Sequence, residues 1–149
     1  MSDDLRGQYK GTNTIYPNMI IVTCAIIEKD SKILCAQRSE FMHLPLKWEF
    51  PGGKVDGNED PEECLKREIR EELGIEISII ERLVSNKHTY PDQKPFELIP
   101  FRCSLVGGKL DAKEHKLVKW LKRAELKELD WAEADIPVLH HYLANYAYD

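Results

Sequence analysis

The segment from Gly53 to Ile75 constrains this chain more than any other, because it reads as a helix with both ends defined. Asp60 has an N-cap side chain, Pro61 takes the first helical position, and Glu63 stands at capping-box spacing. Gly74 then ends the helix as the residue that enters the left-handed region without strain. Between these stops Leu65, Ile69 and Leu73 recur every four residues and form an apolar stripe. A helix over residues 60–73 must bury that stripe against a second layer.

Strands supply that layer. Residues 20–28 read as a strand, Lys29-Asp30-Ser31 as a tight turn, and residues 32–38 as the returning strand of a hairpin. Residues 39–46 form a loop with Pro45, residues 47–50 are short and aromatic, and Pro51-Gly52-Gly53 is a loop signal. Two strands are expected over 76–88 and 94–105, separated by a turn at Pro91-Asp92. Gly107-Gly108 marks another turn, and residues 117–121 a short strand. A second helix starts near Asp135 and turns Val138, Leu139, Tyr142 and Leu143 inward. Mixed strands with few helices predict an α/β or α+β sandwich. Residues 1–18 lack periodicity and are expected to be an extension before a single domain over 19–149.

The first helix breaks a local rule. Between Glu59 and Leu73 there are seven acids and three bases. The early acids complement the positive end of the helix dipole, but Glu71 and Glu72 lie in the last turn, where cations are favoured. Glu68 precedes them by three and four residues, so three carboxylates crowd one side, at a few tenths of a kcal/mol per pair. A hard divalent cation would turn this repulsion into attraction. The plain alternative is a solvated acidic face relieved by Arg67 and Arg70.

Composition narrows the partners. A net charge of −5 argues against a nucleic-acid duplex, whose phosphates need a basic surface. No apolar run reaches membrane-spanning length, and residues 1–18 hold no signal-peptide core, so a cytoplasmic protein is expected. Cys24, Cys35, Cys64 and Cys103 are scattered without a C-x-x-C pair and read as reduced, buried thiols. His43, His88, His115, His140 and His141 lack metal-ligand spacing. An open sheet edge fits a monomer or a homodimer.

Gly53, five residues, Glu59, seven residues and then Arg67-Glu68-Ile69-Arg70-Glu71-Glu72-Leu73-Gly74-Ile75 resemble the Nudix box, G-x5-E-x7-R-E-U-x-E-E-x-G-U with U aliphatic, at every specified position. The likeness runs from about Met19 to Tyr142. Trp48-Glu49-Phe50-Pro51-Gly52-Gly53-Lys54, Glu114 with Trp120 six residues on, and Ala134-Asp135-Ile136-Pro137 look like the MutT branch, and within it like bacterial CTP pyrophosphohydrolases.

This resemblance implies an α/β/α sandwich with a mixed sheet and a loop–helix–loop catalytic module. It implies that Glu68, Glu71 and Glu72 bind Mg²⁺, or Mn²⁺ in its place, with the Gly52 carbonyl and Glu114. Oxygen ligands suit those ions, whereas zinc prefers Cys or His. Glu59 and Arg67 would orient the catalytic glutamates, and Glu68 is the favoured general base, ahead of Glu71 or Glu72. Arg38 and the Gly53-Lys54 turn would face phosphate oxygens, although Arg38 could equally form a plain salt bridge. Phe50, Asp135 and residues near Pro91 would border the base.

The expected reaction is attack by water at the β-phosphorus of a nucleoside triphosphate, giving the monophosphate and pyrophosphate. An ionised Asp135 would accept from the N4 amino group of cytosine; a protonated one could donate and suit an oxidised guanine such as 8-oxo-dGTP. Asp135 could also simply cap the last helix. A silent nucleotide-binding module usually loses box carboxylates, and all are kept here. Nucleotide sugars, ADP-ribose and dinucleoside polyphosphates are the other substrate classes of the family.

Overall fold

The computed structural model describes residues 19–146, so the expected extension over 1–18 lies outside the described residues. The strands are β1 (Ile20–Lys29), β2 (Lys32–Gln37), β3 (Trp48–Glu49), β4 (Gly52–Lys54), β5 (Ile75–Arg82), β6 (Asn86–His88), β7 (Phe96–Gly108) and β8 (Leu117–Lys122). Helix α1 spans Pro61–Leu73 and α2 spans Ile136–Asn145. The strands join in one mixed sheet with the order β3-β2-β1-β7-β5, while β4 pairs with β1, β6 with β7 and β8 with β2. β1 and β7 run parallel from Ile20↔Phe96 to Glu28↔Ser104, and the other pairings are antiparallel.

β1 lies at the centre and is buried on both faces, as its near-continuous apolar run requires. Ile21, Ala25 and Ile27 point to one core with Leu65, Ile69 and Leu73 of α1. Cys24 and Ile26 point to the other, with Val138, Leu139 and Tyr142 of α2. The two-residue period of a strand thus feeds two helical layers, and the α/β/α sandwich follows. The three stripe residues of α1 are fully buried, each stabilising the fold by about 2 kcal/mol. All four cysteines are free and buried. No helix among the described residues is long and apolar enough to cross a membrane.

The ends of α1 agree with its sequence. The Asp60 carboxylate accepts from the backbone N–H groups of Glu62 at 3.0 Å and Glu63 at 3.3 Å. The expected return bond from Glu63 to the Asp60 N–H does not form: Glu63 pairs with Lys66 at 3.5 Å instead, so Asp60 caps the helix without a capping box. Gly74 sits at φ 74° and donates to the Arg70 carbonyl at 3.0 Å.

Three expectations need correcting. Gly52–Lys54 is not loop but strand β4, because glycine pairs closely with β1 where a side chain could not. The single strand over 76–88 divides into β5 and β6, since Leu83 turns its N–H to the Pro100 carbonyl before β6 resumes pairing at Asn86. Gly107-Gly108 does not turn the chain but ends β7, paired with Glu76 and Ile75.

Gly74→Ala should destabilise the protein by about 1–2 kcal/mol, because alanine resists positive φ. Its Cβ would also lie 2.9 Å from the Lys109 carbonyl oxygen. Asp60→Ala should cost about 1 kcal/mol through the lost cap. Urea midpoints at unchanged slope measure both, and an Asp60→Ala midpoint equal to the parent's would refute the capping role.

Candidate active site

β4 approaches β1 more closely than side chains permit. A Cβ on Gly52 would lie 2.0 Å from the Thr23 carbonyl oxygen. A Cβ on Gly53 would lie 2.3 Å from Glu68 Cδ, so the carboxylate of α1 occupies the space that glycine leaves. Thr23 is buried, yet its hydroxyl donates to the Gly53 carbonyl at 3.1 Å and ties the two strands. The helix, the glycine strand and the sheet therefore meet at one point.

The acidic residues of α1 divide at that point. Glu68 and Glu72 turn toward the sheet and hydrogen-bond to each other. Burial, and next the charge of Glu68, push the Glu72 carboxyl up to about 8. Glu68 is also raised by burial, against the pull of Arg67. Glu71 instead points toward solvent with its side chain 60% exposed, and pairs with Arg67 at 3.1 Å. Arg67 grips both oxygens of Glu59, at 2.7 and 3.0 Å, and lies 3.3 Å from Glu68. Its guanidinium thereby orients Glu59, Glu68 and Glu71 together. Arg70 takes no part, because it forks onto Glu76 at 2.8 and 3.1 Å.

Beside this cluster opens a cavity of about 560 Å³, within the range of roughly 300–1,000 Å³ usual for small-molecule sites. Glu72, Gly53, Lys54, Glu114, Phe50, Tyr90 and Asp135 line it together. The Phe50 ring is only 3% exposed and lies against Trp131 at 4.6 Å, so it is a wall supported by the core. The Tyr90 hydroxyl accepts from the Ala134 N–H at 2.9 Å, holding the segment before α2.

Asp135 precedes α2 but makes no capping bond with its side chain, which corrects the capping alternative. Its Oδ2 accepts from the Phe50 N–H at 2.9 Å instead. Burial, and next the charge of Glu49, push its carboxyl up to about 8. Of the two forms the sequence allowed, this raised carboxyl favours the carboxylic acid, donor and acceptor at once.

Arg38 reaches the same cavity already engaged, its Nη1 donating to Glu49 at 2.8 Å and its Nε to the His43 carbonyl at 2.6 Å. Glu49 and His115 also line the cavity, bonded to each other at 2.8 Å, and neither stood out in the sequence. The trace was there for Glu49, a charge between two buried aromatics, Trp48 and Phe50. No spacing could have linked it to a histidine 66 positions away.

The residues present suit a hard divalent cation. Among the described residues no three acids, histidines or thiols form a ready-made cage. Yet burial, and next the negative charges of Glu68, Glu49 and Glu114, raise the Glu72 carboxyl, and that surplus charge is what a cation would neutralise. The surrounding donors are oxygens, and Gly53 leaves the backbone open beside Glu68.

A fold and site of this kind define a hydrolase with an acidic helix against a glycine strand. The NUDIX domain model matches residues 17–142, and the chain belongs to the Nudix hydrolase family, whose members generally need a divalent metal. The chain is 39% identical over 126 residues to the CTP pyrophosphohydrolase of Escherichia coli K12, covering 85% of this chain and 93% of that one. It is 34% identical over 125 residues to a putative 8-oxo-dGTP diphosphatase 2 of Mycobacterium tuberculosis, covering 79% and 83%. Among solved structures, the E. coli ORF135 protein superposes with a TM-score of 0.75 at 38% identity, covering 85% of this chain and 89% of that one.

The raised Asp135 carboxyl predicts a pH dependence. Its folded value of about 8 exceeds the ordinary 3.8, so the folded state holds a proton that the unfolded state releases. The stability that this one proton contributes is complete below about pH 4 and is lost progressively as pH rises toward 8. Asp135→Asn in chelator should therefore show a smaller fall in urea midpoint between pH 5 and 8 than the parent. Equal falls would mean that Asp135 is ionised in the folded protein.

Proposed function

We propose that this chain is a nucleoside triphosphate pyrophosphohydrolase that prefers cytidine nucleotides, releasing the monophosphate and pyrophosphate. The observation that carries base recognition is Asp135, buried in the cavity wall with one oxygen held by the Phe50 N–H. As a carboxylic acid it can donate to N3 of cytosine while its second oxygen accepts from the N4 amino group. Glu72 and Gly53 line the same cavity, which supports binding of base and phosphates within it. The 39% identity to a CTP pyrophosphohydrolase supports the same assignment.

Glu68, Glu72, Glu114, the Gly52 carbonyl and, after a turn of its side chain, Glu71 would hold Mg²⁺, or Mn²⁺ in its place. When bound, the ion neutralises phosphate charge and acidifies a water. Glu68 is the base in this reading, placed by Gly53 on one side and by Arg67 on the other. Arg67 and Glu59 keep its carboxylate fixed, so little motion precedes proton transfer. Lys54 and Arg38 border the cavity where phosphate oxygens would lie. Attack at the β-phosphorus leaves pyrophosphate carrying the new oxygen.

The same carboxylic acid also fits an oxidised guanine, which offers an N7–H donor beside the O6 acceptor. The identity to a putative 8-oxo-dGTP diphosphatase favours keeping this second reading in the test.

A nucleotide panel with Mg²⁺, read by pyrophosphate release, should rank CTP or dCTP first, and chelator should abolish turnover. Solvent ¹⁸O should appear in pyrophosphate; label in CMP would place attack at the α-phosphorus. Glu72→Gln should lower kcat about 100-fold or more with normal folding. Asp135→Ala, which removes donor and acceptor together, should lower kcat/KM on dCTP more than on 8-oxo-dGTP, by about 1–3 kcal/mol, whereas Asp135→Asn keeps both groups and should hold the parent's preference. Equal losses on both substrates would remove Asp135 from base recognition.

A further inference from the structure

One carboxylate joins three separate segments at the cavity wall. Glu49 on β3 accepts from Arg38 Nη1 through Oε1 and from His115 Nε2 through Oε2, both at 2.8 Å. Arg38 follows the last residue of β2, and His115 stands two residues before β8. Backbone bonds set this meeting: Arg38 N–H donates to Lys47 at 2.9 Å, and Lys116 N–H to Gln37 at 2.9 Å. The His115 side chain is 3% exposed, whereas Glu49 and Arg38 are each 19% exposed. Access falls along the chain from the guanidinium to the imidazole.

The chemistry fixes each role. A carboxylate paired with a guanidinium only accepts, so Nε2 of His115 is the donor to Glu49 and leaves Nδ1 as the other polar atom of the ring. That Nδ1 is buried without a hydrogen-bond partner. Burying an unpaired polar atom is costly, so packing alone would favour an apolar residue at this position. With both oxygens engaged, Glu49 has one orientation, and Arg38 takes its direction from it. Nε and Nη1 of Arg38 are engaged, and its Nη2 group bears no hydrogen bond among the described residues.

We infer that His115 is a positioning residue for nucleotide binding, which acts through Glu49 to hold Arg38 with its Nη2 group toward the oxygens of the substrate. This rests on the cavity being the nucleotide site, and it does not depend on which base is preferred.

Kinetics of the full chain test it on whichever nucleotide of the panel the parent turns over best. His115→Phe keeps ring volume and removes the donor, and KM should rise about tenfold while kcat changes less than about threefold. His115→Gln can place an amide N–H where Nε2 lies, and should return KM to within about threefold of the parent. His115→Asn carries its amide at the position of Nδ1, cannot reach Glu49, and should behave as His115→Phe; it serves if the phenylalanine variant folds poorly. The double variant His115→Phe/Glu49→Gln should match Glu49→Gln alone, because His115 has no route except Glu49. In chelator, the Kd of the monophosphate product should rise in parallel with KM.

Unchanged KM in both His115→Phe and His115→Asn, failure of glutamine to rescue, or losses that multiply in the double variant would each overturn the inference. So would a fall in kcat at constant KM, which would connect His115 to Glu114 instead. If the best nucleotide is not a cytidine, the base assignment fails while these ratios still decide the role of His115.

Discussion

The close approach of β4 to β1 is the constraint on which the site depends. Backbone lies against backbone at Gly52, and at Gly53 a hydrogen stands where a side chain would meet α1. The space left at Gly53 receives Glu68, which sets the rotation of α1 over the sheet. That rotation brings Glu72 to the cavity and leaves Glu71 on the outer side with Arg67. Helix dipole, capping and apolar stripe decide that α1 forms; two missing side chains decide where its acids go.

Much of the frame was legible because it rests on local chemistry. Asp60, Gly74 and the Leu65-Ile69-Leu73 stripe define a helix in any context, and the apolar run of β1 demanded burial on both faces. β4 was illegible, because Pro-Gly-Gly spells a turn unless a partner strand lies close enough to need glycine. The break between β5 and β6 came from the bond of Leu83 to Pro100, a tertiary contact that outweighs local pattern. The box residues were readable in type, but the divergence of Glu71 from Glu68 and Glu72 was not. Residues at three- and four-position spacing share a helix side, and the position of Arg67 then separates them.

The cavity places negative charge where a polyanionic substrate would bind. Glu49, Glu72, Glu114 and Asp135 line it, and burial with neighbouring negative charge raises two of the four carboxyls, Glu72 and Asp135. A raised carboxyl takes up a proton more readily, which lowers the surplus charge. On the proposed function a cation would relieve Glu72, while Asp135 would use a proton as a donor. The Phe50 amide opposes the shift at Asp135, and Arg67 opposes that at Glu68.

Glu68 and Glu72 stand on a helix packed against one face of the sheet, while Asp135 stands beside Ala134 and Val138 in the core of the opposite face. On the proposed function, base reading and hydrolysis thus rest on different helical layers, joined by the bond from the Phe50 N–H to Asp135. A change in the packing around α2 would reach the acids of α1 only through that short stretch of chain.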